Sequence, residues 1–297
     1  MRVLYFGMLG EFSRAPLAAL LEAGAGVCGV VVAVDADRAP ITRLEPDASR
    51  SELPILGAYL EHNIVHIGWE RGLPVFQVGR LAHTDTLAIM SSLRPDVACV
   101  ACFPRRIPAA LLALPKHGFL NLHPSLLPLY RGPEPLFWFL RAGGGSTGVT
   151  LHFMDERLDT GDIAAQAPID LPNGVSRAEA ERLCAALGGQ LMVEVVQALE
   201  RGTLARRSQP EGGTYYPAPT PDDFSIDTSW PARRAFNFMR GTADWRQPYT
   251  VETGAERLRL DVALAFSPDE RLERPYLRFG DTLRIQFTPG VLEARER

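Results

Sequence analysis

The run PDVACVACF, Pro95 to Phe103, constrains this chain more than any other stretch. From Val97 onward it has no charge and no polar alternation, so a strand built from it must be covered on both faces. Sheets covered on both faces are parallel sheets flanked by helices, and the rest of the first half agrees. RVLYFG (Arg2 to Gly7) and VCGVVVAV, ending before Asp35, are apolar runs separated by the helix-like APLAALLEAG, a β-α-β opening. GLPVFQV supplies a third strand, FLNLH a fifth, TGVTLHFM (Thr147 to Met154) a sixth and AAQAPIDL a seventh. PEPLFWFLRAG has the apolar spacing of a helix that stops at Gly143. The expected class is α/β, a Rossmann-like and mostly parallel sheet.

The order of elements changes after NGVSRAEAERLCAALGGQLMVEVVQALERG, a long helix whose Ser176 and Glu179 form a capping-box pattern. QPEGGTYYPAPTPDD, residues 209–223, is rich in Gly and Pro and reads as a linker. Beyond it come a short helix, PARRAFNFMRG, and strand-like pieces YTVET, RLRLDVALAF and TLRIQF. The expected division is a catalytic domain over 1–208, the linker, and a small β-rich domain over 224–297.

With 297 residues and 46% hydrophobic content, the chain can bury a sizeable core. It contains no run of eighteen apolar residues, and its start, MRVLYFGMLGEF, has neither a cationic segment nor a small-residue cleavage site. A cytoplasmic protein with no membrane partner is expected. Four cysteines (Cys28, Cys99, Cys102, Cys184) are too scattered for a disulfide framework, and Cys99-x-x-Cys102 lies inside a buried run, so no metal is expected. The net charge of −4 gives no global attraction to nucleic acid, and Lys116 is the sole lysine, which leaves one poorly placed candidate for Schiff-base chemistry. Gly7-Met8-Leu9-Gly10 lacks the G-x-G-x-x-G spacing of a dinucleotide loop.

NLHPSLLPLYRG, Asn121 to Gly132, places an amide, an imidazole and a hydroxyl within five residues and follows them with prolines. Pro124 has no ladder donor, so His123 must sit where a strand ends. Asn121 and His123 are two apart and point to one side, while Asp159 falls in DERLDTGD after the neighbouring strand. An amide donor, an imidazole and a carboxylate suit acyl transfer in which the acceptor itself is the nucleophile. Ser125 lacks a G-x-S-x-G elbow and reads as a loop-former. His152 reads as a filled position on a core-facing strand, and Asp162 as a brace of its loop.

Asn121-x-His123-Pro124-Ser125-Leu126-Leu127-Pro128, then Arg131-Gly132, Thr147-Gly148-Val149-Thr150 and Leu158-Asp159-Thr160-Gly161-Asp162, resembles the folate-dependent formyltransferases across the whole first domain. The opening, the LDTGDI loop and YYPAPTPDDFSIDTSWPARRAFNFMRG are most similar to the branch that formylates methionyl-tRNA. The resemblance implies the formyltransferase fold with an OB-like C-terminal domain. It implies 10-formyltetrahydrofolate as donor co-substrate and a neutral primary amine as attacking group, giving a tetrahedral intermediate. Asn121 and protonated His123 would hold the oxyanion, with Asp159 sustaining the imidazolium and relaying the proton. Phe103, Pro104, Arg105, Arg106 and Ile107 would face the folate, as would Met154, Asp155 and Leu158, and either arginine could reach the glutamate tail. Ser125, Arg131 and Gly132 would belong to the substrate-binding loop.

The acceptor divides the sequence. In DADRAPITRLEPDASRSELP three arginines face five carboxylates, unlike the basic tRNA-binding insertion of the methionyl-tRNA branch. The tail is short, and RGPEPLFWFL is more aromatic than usual for that branch. These features resemble sugar N-formyltransferases, so the acceptor is either initiator methionyl-tRNA or an amino sugar or other small amine. A folate-binding sensor or formylfolate hydrolase on the same scaffold is the reading from another class. If the acceptor is tRNA, Arg233, Arg234, Arg240 and Arg246 around the short second-domain helix are the residues available to meet it.

Overall fold

A computed structural model describes residues 1–46, 62–144 and 147–297. The second part of the carboxylate-rich stretch after the second strand, including Asp47, Arg50 and Glu52, lies outside the described residues. The chain resolves into two compact units. The first comprises Met1–Pro128, Gly148–Ala167 and Arg182–Gly213; the second comprises Leu129–Thr147, Pro168–Glu181 and Thr214–Arg297.

The large sheet contains β1 (Arg2–Gly7), β2 (Gly26–Ala33), β3 (Ile41–Leu44), β4 (Val75–Val78), β5 (Val97–Ala101), β6 (Phe119–His123), β7 (Thr147–Phe153) and β8 (Ile163–Ile169), in the order β3-β4-β2-β1-β5-β6-β7-β8. The pairs from β4 through β6 are parallel, whereas β3 joins β4 and β7 joins β6 antiparallel. β5 is buried at every position, as its uninterrupted apolar run requires. β3 was not foreseen: ITRL carries Thr42 and Arg43, both exposed, and an edge strand tolerates such residues because only one side must pair.

Helix α1 (Glu11–Glu22) follows β1 closely. Ser13 of that helix ties the strand ends together: its hydroxyl donates to the carbonyl of Ala101 (2.6 Å) and accepts from the amide of Met8 (2.8 Å), while Tyr5 donates to its carbonyl (2.6 Å). Helices α2 (Ile64–Glu70), α3 (Thr84–Ser92) and the short α4 (Ala109–Leu112) complete this part of the chain. The long helix α6 (Arg177–Glu200) starts as its capping pattern predicts, with the amide of Glu179 donating to the Ser176 hydroxyl at 3.2 Å. It is long and apolar enough to cross a membrane by length and composition, yet Cys184, Ala185, Met192, Val195 and Val196 are buried, as in a core helix. Gly188 lets it press on Leu122 of β6.

In the second unit, β9 (Ser225–Asp227), β10 (Tyr249–Glu252), β11 (Arg257–Ser267), β12 (Tyr276–Phe279), β13 (Thr282–Gln286) and β14 (Val291–Glu296) form a sheet ordered β12-β13-β14-β11-β10-β9. Its core includes α7 (Ala232–Gly241) and α5 (Pro135–Ala142), the latter ending at Gly143 as its sequence predicts. Phe137 of α5 is buried with its ring 5.2–5.6 Å from those of Trp138, Phe224, Phe238 and Trp245. The aromatic content of RGPEPLFWFL therefore has a packing cause.

Candidate active site

Asn121 and His123 lie on one face of β6, and Pro124 follows where the strand ends. Because β7 runs antiparallel, with Phe153 opposite Leu120 and Thr150 opposite His123, the loop after β7 leaves at the far end of β6 from His123. At ~3.3 Å per residue that is about 10 Å, so the loop must fold back over the sheet to reach the histidine. It does so. Asp159 Oδ2 stands 3.8 Å from His123 Nδ1, with both side chains 5% exposed.

Several bonds impose this fold-back. Asp155 accepts from the Thr160 hydroxyl at 2.8 Å and from the amide of Arg157 at 2.9 Å. The amide of Phe153 donates to the carbonyl of Asp162 (2.8 Å), which is how Asp162 braces the loop. Gly161 passes so close to β7 that a Cβ there would lie 1.9 Å from the Phe153 carbonyl oxygen. Asp159 itself sits at φ +56°, a conformation that costs a non-glycine residue about 1 kcal/mol or more. Gln209 holds it there, donating from Nε2 to the carbonyls of Asp159 and Gly161, each at 2.8 Å.

A fourth group completes the cluster. His152, expected to fill a core position, is 2% exposed, but its Nε2 lies 3.2 Å from Asn121 Nδ2 and 3.6 Å from Asp159 Oδ1. Its Nδ1 is 3.0 Å from the carbonyl of Phe153, which can only accept. That contact assigns a proton to Nδ1, and in the neutral ring it leaves Nε2 to accept one Asn121 amide hydrogen. The amide is thereby oriented, with its second hydrogen left over. Neither His152 nor Gln209 was legible as a site residue, since one reads as core and the other as linker; His152 falls opposite Asn121 in the ladder, and that pairing is the signal that could have found it.

Ser125 is fully buried; its amide donates to the carbonyl of His123 (2.9 Å) and its carbonyl accepts from Thr150 (2.6 Å), as expected of a loop-former. Arg131 and Gly132 belong to the second unit. There Arg131 pairs with Tyr215, and Gly132 at φ +118° approaches Tyr216 so closely that a Cβ would lie 2.0 Å from its carbonyl oxygen.

The loop after β5 divides its residues. Ile107 is buried in the core, and half-buried Phe103 packs edge-on against Phe6 at 5.4 Å. Arg105 donates to the carbonyls of Val34 and Gly79 just past β2 and β4, and Arg106 donates to the carbonyl of Glu156 in the Asp159 loop. Pro104 is exposed, and Met154 and Asp155 are partly so. Among the described residues of the first unit the exposed large apolar side chains are Met8, Leu9 and Leu158, all on loops that follow β1 and β7.

The arginines of the second unit are unequal. Arg234 donates from Nε and a terminal nitrogen to the carbonyl of Arg141 (2.9 and 2.5 Å) and lies 3.7 Å over the Trp230 ring, so it caps α5 and is not available to a phosphate. Arg257, Arg278, Arg284 and Arg295 pair with Glu252, Glu296, Glu270 and Asp281. Arg233, Arg240 and Arg246 are exposed and have no partner among the described residues.

The family model described as formyl transferase matches residues 9–196. A methionyl-tRNA formyltransferase of Pelotomaculum thermopropionicum is 33% identical over 254 residues, covering 86% of this chain and 76% of its own length. One from Chloroflexus aurantiacus is 34% identical over 270 residues, covering 91% and 82%. The solved N-formyltransferase from Helicobacter canadensis, in complex with folinic acid and dTDP-3-aminofucose, shares the fold with a TM-score of 0.65 at 14% identity, covering 100% of this chain and 99% of its own. An amide, two imidazoles and a carboxylate gathered on one sheet face thus sit within a sequence that matches one family over most of its length: this chain belongs to the formyl transferases.

Proposed function

We propose that this chain transfers a formyl group from 10-formyltetrahydrofolate to the primary amine of methionyl-tRNA, with Asn121, His123 and Asp159 as its catalytic residues. The observation that supports the reading best is the buried convergence of those three side chains with His152. The donor supplies an activated formyl carbon. Asn121, its amide oriented by His152, offers its remaining hydrogen to the formyl oxygen as negative charge builds there, and His123 in its protonated form offers a second donor. Preorganised donors of this kind contribute on the order of 3 kcal/mol each. Asp159 stabilises the imidazolium, takes the proton that the attacking amine sheds, and relays it to the departing folate nitrogen as the formyl C–N bond of the donor breaks. The 3.8 Å separation from His123 is longer than a hydrogen bond, as is common before reactants exclude water.

Residues around the cluster fit a folate. Leu158, Met8 and Leu9 give exposed apolar surface for flat rings, and Arg106, the more exposed of the two loop arginines, is the one we assign to the glutamate tail. Arg105 is engaged by two backbone carbonyls.

A second reading, transfer to an amino sugar or other small amine, is favoured by the net charge of −4 and by the pairing of Arg257, Arg278, Arg284 and Arg295 with carboxylates, which takes four cations from those an RNA backbone could meet. Folate release by the purified chain, assayed with charged initiator tRNA against a panel of amino sugars, separates the two. Turnover with tRNA is expected; turnover with a sugar alone transfers the assignment to the second reading, and none with any amine refutes both.

A further inference from the structure

The second unit has a cavity of about 160 Å³ between the end of α5, the segment 171–175 and the first turns of α7. Phe139, Leu140, Leu171 and Val175 contribute to its walls, and Arg233, Asn173 and Asn237 bring polar groups to it. No lining residue is acidic. We propose that this cavity is a binding site for a compact oxyanion, a phosphoryl group on a small molecule.

The donor set favours that class. Arg233 is exposed, charged and unpartnered among the described residues. The two asparagines are fixed relative to each other: Asn237 Oδ1 accepts from the amide of Gly174 at 2.8 Å, and Asn237 Nδ2 donates to Asn173 Oδ1 at 3.0 Å. Both amide oxygens are therefore occupied, and the hydrogens on Asn173 Nδ2 remain. What faces the cavity from this rim is a guanidinium and an amide donor, a set that matches phosphoryl oxygens and rejects a cation.

The surroundings add positive charge. Arg141 and Arg234 stand on the same Trp230 ring, and burial and then Arg141 hold Arg234 below its ordinary range. Asp223 faces Arg141 and Asp227 faces Arg234, while neither lines the cavity. The cavity opens at the first turns of a ten-residue helix, whose dipole adds a partial positive charge although the amides of Ala232, Arg234 and Ala235 are already bonded to the carbonyls of Pro289 and Pro231. Its small volume and single free guanidinium suit one phosphoryl group better than a nucleic-acid backbone, which needs a track of cations.

The experiment is calorimetric titration of the full chain with inorganic phosphate and with phenyl phosphate. Saturable binding of one equivalent is expected, weakened at least ~10-fold by Arg233→Gln, which is exposed and should fold normally, and retained in part by Arg233→Lys. Arg240→Gln, two turns further along α7 and outside the cavity, should leave binding unchanged. No saturable binding by either probe, or equal losses in the Arg233 and Arg240 variants, overturns the proposal.

Discussion

His152 shows how one side chain can carry two readings. By burial it is core; by contact it is the group that sets which way the Asn121 amide faces. The catalytic reading then turns on Asp159, whose contribution is charge and not shape. Asp159→Asn keeps the volume and the Gln209 bond to the backbone, so folding and donor binding should persist while kcat falls by at least ~10²-fold, in the range of general acid-base groups. Single-turnover formyl transfer measures it, and near-normal turnover would remove Asp159 from the mechanism. Arg105 and Arg106, neighbours in sequence, should part company. Arg105→Ala leaves two carbonyls without their donor and should lower stability by about 1–3 kcal/mol, read by denaturant unfolding. Arg106→Ala should raise the donor's KM with little change in kcat, the pattern of lost uniform binding. The reverse assignment of the two effects would contradict the roles given to them.

The loop after β7 makes the site, and it is where an element-level prediction belongs. Gly161→Ala puts a methyl against a backbone oxygen of Phe153 that has no room to withdraw, because the neighbouring amide is bonded across to Asp162. The loop must shift, and displacing a positioned group by about 1 Å can lower turnover ~10²-fold. We expect that loss in kcat with thermal unfolding changed little, and a variant with full activity would show that the loop geometry is unimportant. Much of this was legible beforehand. The strands of the large sheet announce themselves as uninterrupted apolar runs, and proline after His123 marks the strand end. What could not be read is what tertiary contact alone creates: Gln209 reaches a loop 50 residues earlier, and the fold-back of Asp159 follows from an antiparallel β7 that periodicity does not distinguish from a parallel one. β3 was missed for the opposite reason, since an exposed edge strand need not be apolar.

At the scale of the whole molecule the open matter is which amine arrives, and charge is the observable that bears on it. Net charge is −4, and several second-unit arginines sit against carboxylates, so attraction to RNA has to come from those that do not. Arg240 and Arg246 are exposed and unpartnered among the described residues, whereas Arg234, on the same helix as Arg240, is held by the carbonyl of Arg141. Each phosphate that a cation neutralises releases counterions, so affinity for initiator tRNA should fall with salt along a log-log slope of roughly −3 or steeper. Arg240→Gln should make that slope shallower by about one contact, and Arg234→Gln should leave it unchanged while loosening the end of α5. Filter binding across a salt series reads both effects. A small-amine transferase would show no measurable tRNA affinity even at low salt, and that outcome would hand the acceptor site to a compact amine, since low salt is where screening is least and any attraction of the exposed arginines for an RNA backbone is strongest.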